Sequence, residues 1–196
     1  MPNLDAIKWN RRYEREPRQY GHTAARPLLI HNLHMLPEPG LALDIACGAS
    51  ASGLYLARRG WHVIGLDVAD AGLRLAQARA REEALRLSLA VADLSAAFLP
   101  AETFDLILDF YFLMRPLLQT CKKALKPGGL LFFETFLWHE TERGPGEFFP
   151  KSGELQAAFM DWKLLYYHEG ARRSNPQDQR ILVSMVAVKP LQGETQ

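Results

Sequence analysis

The chain has 196 residues, 23 Lys and Arg against 22 Asp and Glu, 48% hydrophobic residues and 2 Cys. That length suits one domain with a modest extension, and a net charge of +1 supplies no global field to hold a polyanion. No run approaches ~18 consecutive apolar residues, the N-terminus with Asp5, Lys8, Arg11 and Arg12 lacks a secretory signal's apolar centre, and two cysteines make no disulfide framework. The expectation is therefore a cytoplasmic protein with neither a membrane nor a nucleic acid as partner.

In chain order, the segment before Gly40 reads as one or two helices, a cap over residues 1–39 tied to the core through Trp9, Tyr13, Leu28, Leu29, Ile30 and Leu33. An α/β core over 40–188 follows. Gly40 to Ile45 is a strand, Ser50 to Arg59 a helix stopped by Gly60, and Trp61 to Leu66 a second strand. Asp70 can cap a helix whose Leu73, Ala76, Ala80 and Ala84 share one face, and Leu87 to Ala92 returns as a strand. Phe104 to Tyr111 is a strand, Pro116 to Leu125 a helix, and Leu130 to Phe136 a strand after the turn Lys126-Pro127-Gly128-Gly129. The almost uninterrupted apolar character of the last two strands suits a parallel sheet covered on both faces. A short helix near Glu154 to Met160 precedes Trp162 to His168 and Ile181 to Val188, two strands joined as a hairpin.

In an open parallel sheet, ligands gather beyond the carboxyl ends of the strands. Three of these ends are acidic: Asp44, Asp67 and Asp93, separated by 23 and 26 residues, or one strand-helix unit each. A lone Asp at such a place is usually a turn or cap residue, but three in register point to one rim. For a nucleoside ligand, Asp67 can accept hydrogen bonds from both ribose hydroxyls, and Asp93 with the Leu94 amide can read adenine. The small residues Ala46-Cys47-Gly48-Ala49-Ser50 allow close approach of the backbone. Cys47 reads as a filler in that loop. His31 and His34 read as surface or packing residues, and His139 to Arg143 lacks the second histidine of a zinc helix, so no metal is expected. At least one of Phe110, Tyr111 and Phe112 belongs to the core.

The segments Leu43-Asp44-Ile45-Ala46-Cys47-Gly48, Gly65-Leu66-Asp67-Val68, Val91-Ala92-Asp93-Leu94, Phe104-Asp105-Leu106-Ile107 and Leu125-Lys126-Pro127-Gly128-Gly129, in this order and spacing, resemble class I S-adenosylmethionine-dependent methyltransferases over about residues 9 to 188. Pro150 to Leu155, then Trp162 and a Tyr-rich strand, are most similar to the tellurite-resistance, TehB-type branch. The resemblance implies a Rossmann-like, doubly wound, seven-stranded sheet, mostly parallel with an antiparallel last strand. It also implies S-adenosyl-L-methionine held by Trp9, Tyr13, Asp44, Ala46, Cys47, Gly48, Asp67, Val68, Asp93, Leu94 and Phe110. Ala46 and Ser50 stand where the family has glycines, and Ser50 adds a side chain near the methionine end of the cofactor.

Displacement at a sulfonium depends on alignment and exclusion of water, and a base is optional. Without an obvious catalytic histidine the sequence leans toward a small-molecule acceptor that is a soft anion, such as a thiolate or tellurium oxyanion. Tyr111, Arg115, Glu134 and Arg173 or Arg180 are the expected acceptor-pocket residues. The alternatives are an NAD(P)-dependent oxidoreductase, disfavoured by the missing Gly-x-Gly-x-x-Gly and Tyr-x-x-x-Lys, and a non-catalytic regulator that binds the same cofactor.

Overall fold

Prolines divide the N-terminal segment. Helix α1 (Leu4–Arg15) begins at Asn3, whose side-chain oxygen accepts from the amides of Asp5 and Ala6. It stops before Pro17, which opens α2 (Pro17–Gly21), and Pro27 opens α3 (Pro27–His31), followed by a 3-10 turn at Leu33–Met35. Proline suits a first turn and breaks a helix interior, so the expected one or two helices become three. Leu28 and Leu29 of α3 are buried and Leu33 packs against the same core, as the sequence suggests; α1 buries no residue completely, and its Trp9 and Tyr13 stay partly exposed, Tyr13 lying against Gly48 and Gly72. The computed structural model describes residues 3–21, 24–138, 149–171, 180–191 and 193.

The core alternates strand and helix: β1 (Leu41–Ile45), α4 (Ala51–Ala57), β2 (His62–Asp67), α5 (Asp70–Glu82), β3 (Leu87–Val91), β4 (Phe104–Phe110), α6 (Arg115–Ala124) and β5 (Leu125–Phe136). After α7 (Glu154–Ala158) come β6 (Lys163–Ala171) and β7 (Ile181–Val188). The sheet order is β3-β2-β1-β4-β5-β7-β6; β1 to β5 run parallel, and β7 is antiparallel to both neighbours. This is the seven-stranded arrangement expected from the sequence. The chain winds outward from β1 to β3, then resumes at β4 on β1's other side, so the winding reverses between β1 and β4, where Ile45 pairs with Asp109. A crevice opens at such a reversal.

Each face of the sheet carries its own core. Leu43, Ile107, Phe133 and Met185 meet Leu117 and Cys121 of α6 and Phe159 beyond α7. On the opposite face Ala42, Leu106, Leu108 and Phe132 meet α3, α4 and α5 through Leu29, Leu54 and Ala76. Most bounds differ from the sequence reading by one to three residues, and β5 by more: it begins at Leu125 and includes the expected turn. Gly128, at φ +77°, kinks the chain there, while its amide donates to the Lys189 carbonyl and Leu125 pairs with Phe104. Among the described residues no helix is long and apolar enough to cross a membrane.

Candidate active site

The loop after β1 lies at the winding reversal. Ala46, Gly48 and Ser50 have φ of +47°, +53° and +47°, so every second residue is left-handed. Glycine adopts that conformation freely, whereas Ala46 and Ser50 carry a Cβ strain at it. The Ser50 hydroxyl donates to Asp44 Oδ2 at 2.7 Å. The structure thus turns the side chain that the sequence reading placed near a cofactor's methionine end onto the strand carboxylate beneath it. Gly53 is required behind this pair, since a Cβ there would lie 2.2 Å from Ser50 Oγ. Burial pushes Asp44 up to about 6, against the opposing effects of Ser50, the Gly53 amide and the Arg26 charge.

At the end of β2, Asp67 accepts from the amides of Gly48 and Ala69, each at 2.7 Å. One oxygen serves each amide, and the Val68 amide acts on the same carboxylate, while burial raises its pKa above the ordinary carboxylate value. Val68 follows it, half-buried. Tyr13 of α1 lies directly over Gly48, where a Cβ would come within 1.9 Å of its hydroxyl oxygen. Its ring packs against Tyr20 at 5.3 Å and lies 6.4 Å from Trp9. At the end of β3, Asp93 is exposed; it accepts from the amide and hydroxyl of Ser95, which hold it below the usual carboxylate range, and from Asn3 at 3.0 Å. Leu94 is buried beside it. Burial, with Asp44 and Asp67 close by, pushes the Cys47 thiol up, which suits a filler rather than a nucleophile.

A cavity of about 80 Å³ lies between these elements, lined among others by Tyr13, Tyr20, Arg26, Asp44, Ser50 and Phe110. Asp67, Val68, Asp93 and Leu94 do not line it; α1 covers their side of the rim through Tyr13, Asn3, and Asn10, which accepts from the Ala71 amide. Arg26 and Tyr20 line the cavity without having been expected from the sequence. Arg26 precedes Pro27 in a stretch with no periodic pattern, and only the fold brings it beside Asp44.

Beyond the cavity a column of rings and cations crosses the ends of β4 and β5. Arg26 stacks 4.4 Å from the Tyr111 ring, Tyr111 lies 5.0 Å from Phe136, and Arg180 stacks 4.1 Å from Phe136 on the far side. Tyr111, at φ +63°, donates its hydroxyl to Glu134 Oε1 at 2.9 Å, and Ser184 of β7 donates to Oε2 at 2.9 Å. Ser184 interrupts the apolar run Ile181–Val188, but nothing in that run names Glu134 as its partner. Arg115 is placed differently from the rest of the expected acceptor set: its guanidinium grips Glu154 of α7 at 2.6 and 3.0 Å, tying α6 to α7. Arg173 lies outside the described residues. Asp109, beside this group on β4, is buried with Oδ1 lacking a hydrogen bond among the described residues, and burial drives its carboxyl far upward.

Residues 42–129 match the model of a methyltransferase domain. The chain is 34% identical over 166 residues to the ubiquinone biosynthesis O-methyltransferase of Cereibacter sphaeroides (strain ATCC 17029 / ATH 2.4.9), covering 80% of this chain and 63% of that protein. The enzyme of the same name from Methylobacterium nodulans is 32% identical over 123 residues, 60% of this chain and 47% of that one. Among solved structures, TehB from Haemophilus influenzae superposes with a TM-score of 0.74 at 23% identity, over 89% of this chain and 65% of its own. Residues 42–129 thus carry a methyltransferase domain, and the fold is the one TehB has. The chain spans about half to two thirds of the length of these curated relatives.

The residues present fit the family's cofactor. Asp67 offers carboxylate oxygens to a vicinal diol, and Gly48, having no Cβ, lets a ligand come close to the backbone beneath Tyr13. Arg26 and Asp44 set a cation and a carboxyl group on one cavity, the complement of a zwitterionic amino-acid end.

Proposed function

We propose that this chain transfers a methyl group from S-adenosylmethionine to a small molecule bearing an ionisable nucleophile, with a hydroxyl oxygen as the first choice. The observation that carries the reading is the left-handed 46-48-50 loop, which presses the Gly48 amide onto Asp67 and fixes that carboxylate at the rim of the crevice. Asp67 would hold the ribose hydroxyls, Asp93 and Leu94 the adenine, and Arg26 with Asp44 the amino-acid end. Bound there, the cofactor supplies a methyl group made electrophilic by its sulfonium.

The chain's own contribution lies in the Tyr111–Glu134 pair. Tyr111 Oη already donates to Glu134 and keeps lone pairs with which to accept from an acceptor's O–H. The acceptor's proton passes to Tyr111 as Tyr111's own passes to Glu134 Oε1, while Ser184 holds the other carboxylate oxygen in place. Trp9 and Tyr13 cover the nucleoside side and exclude water. That the relatives are named O-methyltransferases supports a hydroxyl acceptor. A second reading, a soft anion such as a thiolate or tellurium oxyanion, is favoured by the two guanidiniums of Arg26 and Arg180 at the ends of the aromatic column.

The test is calorimetric titration of the full chain with S-adenosylmethionine and, separately, NADH. Radiolabelled methyl transfer to catechols, thiols and tellurite follows. Donor binding without NADH binding, and label in one acceptor class, is the expected result. NADH binding alone would replace the reading with a dehydrogenase, and donor binding with no label in any class would leave a binding protein.

A further inference from the structure

Helix α1 meets the domain through uncharged polar groups: its N-cap Asn3 reaches Asp93, Asn10 accepts from the Ala71 amide, and the Tyr13 hydroxyl sits over Gly48. Its aliphatic residues face out, Leu4 at 79% and Ile7 at 38% exposure. A helix held by a core shows the opposite.

The outward face has a further property. Leu4, Ile7, Lys8, Arg11, Arg12 and Arg15 recur at spacings of three and four and line one exposed groove along the helix. Neither acidic residue of the helix, Asp5 or Glu14, falls among them. Arg12 and Arg15 occupy the last turn, where the helix dipole favours cations, but Lys8 and Arg11 precede it. Among the described residues none of the four cations is in an ion pair with a carboxylate; Lys8 and Arg12 lie over the Trp9 ring. A chain whose formal charge is only +1 thus gathers four positive charges and two solvent-facing aliphatic side chains on one stripe.

We propose that the outer face of α1 is a docking surface for an anionic lipid bilayer, on which the helix lies in the interfacial plane without crossing it. The cations complement phospholipid headgroups, and Leu4 and Ile7 enter the acyl boundary, the combination that distinguishes an interfacial helix from a merely charged one. A nucleic acid would use the cations and leave the aliphatic residues without a role. The same helix roofs the Asp67–Asp93 rim, so the face that meets the lipid is the back of the face that covers the nucleoside side of the crevice.

The experiment is co-sedimentation of the full chain with vesicles of phosphatidylcholine alone and of phosphatidylcholine mixed with phosphatidylserine, at low and high salt. It needs no methyl donor and stands whether or not the chain transfers methyl groups. The expected result is partition onto the anionic vesicles only, weakened by salt. The double substitution Arg11→Gln/Arg15→Gln lowers that partition about twenty-five-fold, at about fivefold per cation. Leu4→Ser/Ile7→Ser lowers it about tenfold, both with unchanged thermal unfolding. The proposal is overturned by absence of partition at low salt, by equal partition onto neutral vesicles, or by insensitivity to either substitution. It is overturned equally if a short DNA duplex captures the Leu4→Ser/Ile7→Ser protein as tightly as the unsubstituted one and strips both from the vesicles.

Discussion

The two halves of the sheet's carboxyl edge satisfy their polar groups in opposite ways. On the β1 to β3 side the carboxylates are served mainly by the loops that follow the strands: Asp44 by Ser50, Asp67 by the amides of Gly48 and Ala69, Asp93 by Ser95, with Asn3 of the N-terminal segment added. On the β4 to β7 side Glu134 is served by side chains 23 and 50 residues away, Tyr111 and Ser184. A half built from backbone amides depends on the path of one loop; a half built from distant side chains can be changed one group at a time. The first suits a ligand common to many proteins, the second an acceptor that differs among them.

The sharpest way to break this contrast is at Tyr111. Tyr111→Phe is expected to lower turnover by about 100-fold or more with a hydroxyl acceptor, the usual loss when a positioned proton-transfer group is removed, while donor affinity stays within twofold by calorimetry. Equal turnover would show that the nucleophile arrives deprotonated and would favour the soft-anion reading.

The next effect belongs to Asp44. Its folded-state value of about 6 lies above the ordinary carboxyl range, so the folded state holds this proton more tightly than the unfolded chain does. The stabilisation is fully present below about pH 4 and is lost as pH rises through about 6, on the order of 3 kcal/mol. Asp67 and Asp109 are shifted in the same direction. Denaturant unfolding of the Asp44→Asn variant over this range should show a shallower fall in stability than the unsubstituted protein.

A smaller effect is expected at Asp67. Asp67→Asn exchanges one accepting oxygen for a donor, which must then face the Gly48 or Ala69 amide or the diol. Donor affinity should fall about thirtyfold, roughly 2 kcal/mol, a typical loss for a hydrogen bond to a charged group, with the Tyr111–Glu134 side unaffected. The smallest is Ala46→Gly, which relieves a left-handed alanine and should raise the melting temperature by a few degrees, for about 1 kcal/mol. A fall instead would mean that the alanine's restriction of the unfolded chain outweighs its strain.

The legibility of the two halves follows the same division. Asp44, Asp67 and Asp93 were readable because each ends a strand and the strand-helix repeat sets their spacing. The left-handed loop was readable only in part: small residues at 46, 48 and 50 announce close approach, but that Ser50 turns inward onto Asp44 depends on space left by Gly53. Arg26 and Ser184 could not be paired with their sites from sequence, because tertiary packing across many residues places them, and local pattern carries no record of it. Arg115 shows the converse. Its position just past β4 suggested a ligand, yet Glu154, far along the chain, takes its guanidinium. The N-terminal segment misled for a local reason, since Pro17 and Pro27 subdivide what the apolar spacing reads as longer helices.

The seat of β7 has a consequence for synthesis. The last strand of the chain order lies inside the sheet, between β5 and β6. Until Ile181–Val188 emerges from the ribosome, β6 has no strand beside it and β5 presents an open apolar edge, Leu130–Phe136. The nascent polypeptide therefore passes through a stage with two unpaired borders, where an unrelated strand or a chaperone finds its easiest hold.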